Sequence, residues 1–184
     1  DLRGTATGTR QFDSLLSPLH LGTRAHALVF AGGSGFGLAA ADPVVAALAR
    51  DGAGFDTGAA VVPLVPTAIL FDLGVGGRSE PPAPEIVEAA LAAASQGPVA
   101  TGNVGAGTGA TVGKALGPAQ AMKGGFGFAS LTAASGLTVA AAVAVNAFGD
   151  VRDPATGRLV AGCRVAPDRL ELAACGLAQA ARAH

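Results

Sequence analysis

Two lysines raise the first chemical question. Lys114 and Lys123 are the only lysines among 12 basic residues, and both are flanked by glycine-rich sequence. A lysine in so sparsely charged a loop is open to partial desolvation. A desolvated ammonium gives up its proton readily, so it can tune or assist a nucleophile. The competing role is a solvated loop cation, and spacing alone favours that one. Asn146 is the second candidate. It closes an apolar run just before Phe148-Gly149-Asp150. A side-chain amide there either caps a turn or donates to a developing oxyanion, a contact worth about 3 kcal/mol; composition favours the turn. Ser34 stands between glycines after an apolar run. A nucleophile elbow, G-x-S-x-G, needs glycine at 36, where Phe36 stands, so Ser34 reads as a turn residue. No Ser/His/Asp triad assembles.

Other reactive residues point nowhere in particular. Cys163 and Cys175 form no C-x-x-C pair and read as two small core thiols rather than a disulfide framework. His20, His26 and His184 are scattered, without metal-ligand spacing. The glycine loops fail as phosphate cradles. The dinucleotide pattern G-x-G-x-x-G breaks at Leu38 in one loop and at Ala110 in the other. A P-loop ending at Gly113-Lys114 would need glycine at Thr108 and Ser or Thr at Ala115. The glycines then serve tight turns and close packing, or let backbone N–H groups approach a substrate carbonyl. A nucleotide-binding α/β domain stays as an alternative that requires phosphate ligands in these loops.

The elements that must hold these residues follow from pattern. The chain has 184 residues, 28 of them Gly and 43 Ala, with 14% charged residues and a mean hydropathy of +0.48. That composition excludes a disordered, solvating chain and demands close backbone packing. A formal net charge of −1 without a basic stripe argues against nucleic-acid binding. No apolar run approaches the roughly 18 residues of a membrane span. Residues 1–24 read as loop, 25–31 as a buried strand, and 36–50 as a helix after a glycine turn. Residues 59–65 and 67–73 read as short strands, and 84–95 as a helix with Pro84 near its start. Residues 126–133 and 137–147 read as a hairpin turning at Ser135-Gly136. Its second strand is apolar almost throughout, which predicts cover on both faces. Residues 153–157 read as a turn, and Pro167 as the start of a last, Ala-rich helix. The result is a layered, mixed α/β sheet in one domain over 1–184.

Five blocks add a resemblance. RGTATGTRQFDSLL (3–16), FAGGSGFGLAAADPV (30–44), GFDTGAAVVPLVPTAILFDLGVG (54–76), GNVGAGTGATVGKALGPAQAMKGGFGFAS (102–130) and LTVAAAVAVNAFGDVRDPATG (137–157) occur in an order shared with one family. Together they resemble the L-aminopeptidase/D-esterase (DmpA-type) family, which holds the β-peptidyl aminopeptidases and, more distantly, the nylon-oligomer (6-aminohexanoate oligomer) hydrolase. The resemblance covers about residues 1–165.

This resemblance implies an N-terminal-nucleophile hydrolase. The expected fold is α/β (α+β), a four-layer αββα sandwich with ornithine-acetyltransferase-like connectivity. The expected precursor cuts itself into α and β chains, and the new N-terminal Ser or Thr of the β chain becomes the nucleophile, with its own α-amine as base. This chain then corresponds to an α chain trimmed at its start, with the first strands and the β chain outside it. Asn146 aligns with the family's oxyanion-stabilising Asn. Lys114 aligns with a lysine near the nucleophile in the nylon-oligomer hydrolase. Phe71 sits where some members carry a Tyr lining the substrate site, so the hydroxyl is gone here; Lys123 stays structural. Asp56, by its charge, is a candidate anchor for a substrate amine. Expected substrates are short peptides, β-peptides or amides with a free amino end. Expected partners are the β chain and further αβ units in a homo-oligomer, with no nucleic acid, membrane, metal or cofactor, in the cytoplasm. Two alternatives remain: a nylon-oligomer endo-hydrolase, and a non-catalytic scaffold subunit of the same fold.

Overall fold

Apolar runs interrupted every few residues by glycine or proline allow only short elements. The computed structural model of the chain bears this out and describes residues 2–5, 7–16, 19, 24–77, 79–174 and 178. It is a mixed α/β structure with small sheets and few helices, dividing into two units, Asp1–Pro98 and Val99–His184. Cys175, His20 and His184 lie outside the described residues.

The first unit is organised by a three-stranded sheet. Strands β1 (Thr9–Arg10) and β2 (Val29–Ala31) flank β5 (Thr67–Ile69), antiparallel and parallel respectively, with Ala68 opposite both Thr9 and Phe30. The approach to β5 is sealed: Val65 and Thr67 are fully buried. Thr67 meets the cost of its buried hydroxyl by donating to the Val65 carbonyl at 3.1 Å. Thr67→Val keeps the shape and deletes that bond. It should cost about 1 kcal/mol, read as a lower urea midpoint at unchanged slope.

After β2 the chain turns at Gly33 (φ 89°) into a 3₁₀ stretch, Ser34–Ala40, that runs directly into α2 (Ala41–Arg50). The expected helix is therefore present, but its first two turns are wound more tightly. This stretch packs tightly on the end of β2, which requires glycine at 37: a Cβ there would lie 2.2 Å from the Gly32 carbonyl oxygen. Ser34 is a turn residue with φ 54°, its N–H donating to the Leu70 carbonyl at 2.9 Å. A small hairpin, β3 (Phe55–Asp56) and β4 (Val61–Val62), precedes β5. Pro63 lacks the N–H a ladder needs, so the expected strand over 59–65 stops at Val62, while the expected strand over 67–73 keeps only Thr67–Ile69. Helix α3 (Pro84–Ala92) begins with proline in its first turn, as expected, and packs on α2. Residues 1–24 are not all loop. They include β1 and a single helical turn, α1 (Asp13–Leu16), because β5 offers an edge to pair with.

The second unit is a series of two-stranded ribbons. β6 (Thr111–Val112) pairs with β7 (Met122–Lys123). β8 (Gly125–Thr132) and β9 (Thr138–Val145) form the expected hairpin, in register from Gly125↔Val145 to Thr132↔Thr138. The expected cover on both faces of β9 is not found among the described residues. Residues 138–143 are exposed, with Val139 63% and Val143 51% accessible. β8 is its hydrogen-bonded neighbour, and the apolar pattern of 138–143 registers a preference that the described residues leave unsatisfied. β10 (Val151–Arg152) and β11 (Leu159–Ala161) close around the expected turn, where the Ala155 and Thr156 N–H groups donate to Asp153 Oδ1.

The last expected helix begins later than Pro167: of the Ala-rich stretch, the described residues Ala173, Ala174 and Ala178 are helical. β12 (Cys163–Ala166) pairs with β13 (Arg169–Glu171), and Pro167-Asp168 is the turn between them. Proline and aspartate suit a turn as well as a helix start, and pairing of Cys163 with Glu171 moves the helix start past that residue. Cys163 is the expected core thiol, fully buried, with Sγ donating to the Gly113 carbonyl at 3.2 Å. Among the described residues no helix is long and apolar enough to cross a membrane.

Candidate functional site

The two residues singled out for chemistry, 32 positions apart, meet in the second unit. Asn146 follows β9 directly, and Lys114 lies two residues beyond β6. Two backbone bonds join the segments: Gly113 N–H donates to the Gly149 carbonyl at 2.8 Å, and Lys114 N–H to the Phe148 carbonyl at 2.9 Å. This seam requires glycine. Gly113 has φ 67°, and a Cβ on it would stand 2.1 Å from the Gly162 carbonyl carbon. Gly124 is equally constrained, since its Cβ would lie 2.0 Å from the Val145 carbonyl oxygen. The glycines near the lysines therefore bring backbones together rather than cradle a phosphate.

The seam aims the half-buried Lys114 side chain back at Asn146. Its Nζ donates to Asn146 Oδ1 at 2.7 Å and to the Asn146 carbonyl at 3.2 Å. The Thr111 N–H also donates to Asn146 Oδ1, at 3.0 Å. Both groups reaching Oδ1 are obligate donors, so the amide has only one orientation: Oδ1 faces Lys114 and Thr111, and Nδ2 faces the other way. An ammonium on the amide oxygen draws electron density from the nitrogen and makes the Nδ2–H groups stronger donors. The arrangement is a fixed, polarised hydrogen-bond donor beside a cation.

The other named residues lie elsewhere. Lys123, on β7, donates to the Thr108 carbonyl, a structural contact between neighbouring loops. Phe71, two residues past β5 in the first unit, is 63% accessible. Asp56, on β3, is exposed, and its Oδ1 accepts from the Gly58 N–H at 2.8 Å. Sequence reasoning missed Thr111, whose N–H helps lock the amide, and the Phe148 and Gly149 carbonyls that anchor Lys114. Backbone groups carry no residue-type signal. Among the described residues no group of three or more His, Cys, Asp or Glu is placed to hold a metal ion.

Comparison with known proteins bears on the same chain. A family model described as Peptidase family S58 matches residues 3–170. A protein of Mycobacterium tuberculosis (strain ATCC 25618 / H37Rv), named an uncharacterized aminopeptidase, is 48% identical over 159 residues, or 85% of this chain and 43% of its own length. A Mycobacterium bovis protein of the same description matches to the same extent. A Mycobacterium leprae counterpart is 45% identical over 164 residues, again 85% of this chain and 43% of the relative. The chain thus spans less than half the length of these relatives. It belongs to Peptidase family S58, the DmpA-type aminopeptidase family that its five sequence blocks resemble.

Proposed function

We propose that this chain is the α part of a self-processing N-terminal-nucleophile hydrolase that cleaves amide bonds in short peptides, acting as an aminopeptidase. Family membership and the aminopeptidase names of the relatives support the reaction class. The observation that carries the mechanism is the contact of Lys114 Nζ with Asn146 Oδ1 at 2.7 Å, which orients and polarises the amide. In this reading the N-terminal Ser or Thr hydroxyl of a β chain attacks the substrate carbonyl, and its proton passes to the free α-amine of the same residue. Asn146 Nδ2 donates to the oxyanion of the tetrahedral intermediate. The intermediate collapses and the leaving amine takes the proton. Water then attacks the acyl ester and regenerates the hydroxyl. The Lys114 ammonium polarises Asn146 and disfavours a second positive charge, keeping the nucleophile's amine in its basic form.

The same proposal assigns a four-layer αββα sandwich completed by the β chain, with αβ units assembled as homo-oligomers. The exposed apolar β8–β9 hairpin supports a covering partner, since soluble proteins rarely leave such a ribbon bare. Phe71 would line the substrate pocket with an apolar wall in place of a Tyr hydroxyl.

Intact-mass spectrometry of the purified full-length protein tests the processing. Two chains, the second beginning with Ser or Thr, are expected; a single uncut chain that still hydrolyses peptides removes the mechanism. Lys114→Met tests the polarising cation. Losing a charge-assisted hydrogen bond should lower kcat/KM about 10- to 100-fold on a dipeptide amide, and an unchanged rate removes the role.

A further inference from the structure

The first unit contains a cavity of about 200 Å³ lined by Arg24, His26, Gly54, Phe55, Asp56 and Leu64. None of these residues belongs to the Lys114–Asn146 site. We propose that this cavity binds a free α-amino acid with a branched apolar side chain, such as leucine, and that it recognises both charged ends at once.

The size sets the first limit. Drug-sized ligands occupy roughly 300–1,000 Å³, and this cavity is smaller, on the scale of a single amino acid.

The charges set the second. Arg24 is exposed and lines the cavity, and its guanidinium is the group best suited to a carboxylate. His26 adds a fixed donor. Its backbone N–H donates to the Leu64 carbonyl at 2.8 Å, and the Leu64 N–H donates back to His26 Nδ1 at 3.0 Å. With Nδ1 accepting, the ring proton sits on Nε2. Asp56 supplies the opposite charge, held by the turn bond from the Gly58 N–H to Oδ1 at 2.8 Å. That turn is itself braced by the Thr57 hydroxyl, which donates to the Ala60 carbonyl at 2.8 Å.

A simple anion would meet Asp56 unfavourably, and a simple amine would meet Arg24 unfavourably. A zwitterion satisfies both. Phe55, 42% accessible, and the half-buried Leu64 supply the apolar wall for its side chain. The walls are tied by short backbone bonds, so little ordering is needed on binding.

Calorimetric titration of the full-length protein tests this with three probes: L-leucine, 3-methylbutylamine without the carboxylate, and 4-methylpentanoate without the amine. Leucine should bind at least tenfold more tightly than either analogue. Arg24→Gln and Asp56→Asn should each weaken leucine at least tenfold. Both positions are exposed, and asparagine keeps the oxygen that accepts from Gly58, so unchanged melting temperatures are expected. Absence of leucine binding overturns the proposal. So does leucine affinity untouched by both substitutions, which would place the amino acid elsewhere. Asn146→Asp, which keeps the contacts to Thr111 and Lys114, should leave leucine affinity unchanged while peptide hydrolysis falls, so this outcome is separate from the fate of the hydrolase reading.

Discussion

Asn146→Asp should give a well-folded protein whose kcat is at least about 100-fold below the parent on a short peptide substrate. The reasoning rests on which atoms the fold uses and which the reaction uses. The Thr111 N–H and Lys114 Nζ both point at Asn146 Oδ1. A carboxylate offers two acceptor oxygens, so it keeps both contacts and strengthens the one to the ammonium. It has no hydrogen to give an oxyanion, and it sets a negative charge where negative charge must develop. The two contacts to Oδ1 and the donor chemistry therefore separate in this one variant. Asn146→Ala does not separate them. It deletes the acceptor as well, leaves a half-buried N–H without that partner at a cost of about 1–3 kcal/mol, and should lose both stability and rate. Thermal melts beside steady-state kinetics distinguish the cases. If the amide were only a turn cap, Asn146→Asp would turn over substrate like the parent, and the oxyanion role would be gone.

The second large effect concerns a residue without a side chain. Gly113→Ala should destabilise the fold by about 3 kcal/mol or more and lower the melting temperature by about 10 °C. Two costs combine. The backbone has φ 67°, in the left-handed region that L side chains avoid, and the added methyl would lie 2.1 Å from the Gly162 carbonyl carbon and 2.5 Å from the Cys163 nitrogen. Both neighbours are backbone, so neither can swing aside. Any relief must open the seam at Phe148 and Gly149, and that seam is what aims Lys114. Gly127→Ala is the matched comparison: it lies in an exposed strand with no atom within 4 Å of the new methyl and no positive φ. It should change stability by less than about 1 kcal/mol. Equal melting temperatures for the two variants would show that the seam yields more easily than its geometry implies.

These expectations mark how far local pattern reaches. The β8–β9 hairpin was legible because two apolar runs of matching length flank Ser135-Gly136. Helix α2 was legible from the glycine turn before it, and α3 from Pro84 with Glu85 in the first turn. Each is a feature of adjacent residues. The misses share the opposite property. β1 exists because β5 presents an edge 58 residues later, at Thr9↔Ala68 and Arg10↔Thr67. β13 took the first residues of the expected helix because Arg164 and Leu170 pair across Pro167-Asp168, while Ala173 and Ala174 in the Ala-rich stretch are helical as expected.

The candidate site divides along the same line. Residue order alone determined that Lys114 and Lys123 were the only lysines, that Asn146 closed an apolar strand, and that five blocks matched one family. It did not determine which lysine meets the asparagine. Lys123 and Lys114 are both flanked by glycine-rich sequence, yet one reaches the Thr108 carbonyl and the other Asn146. The difference is made by Gly113, whose left-handed backbone lets two strand ends close to hydrogen-bonding distance. Composition and periodicity act through near neighbours, so they are written along the chain. The direction of a side chain's hydrogen bond depends on segments brought together only by folding.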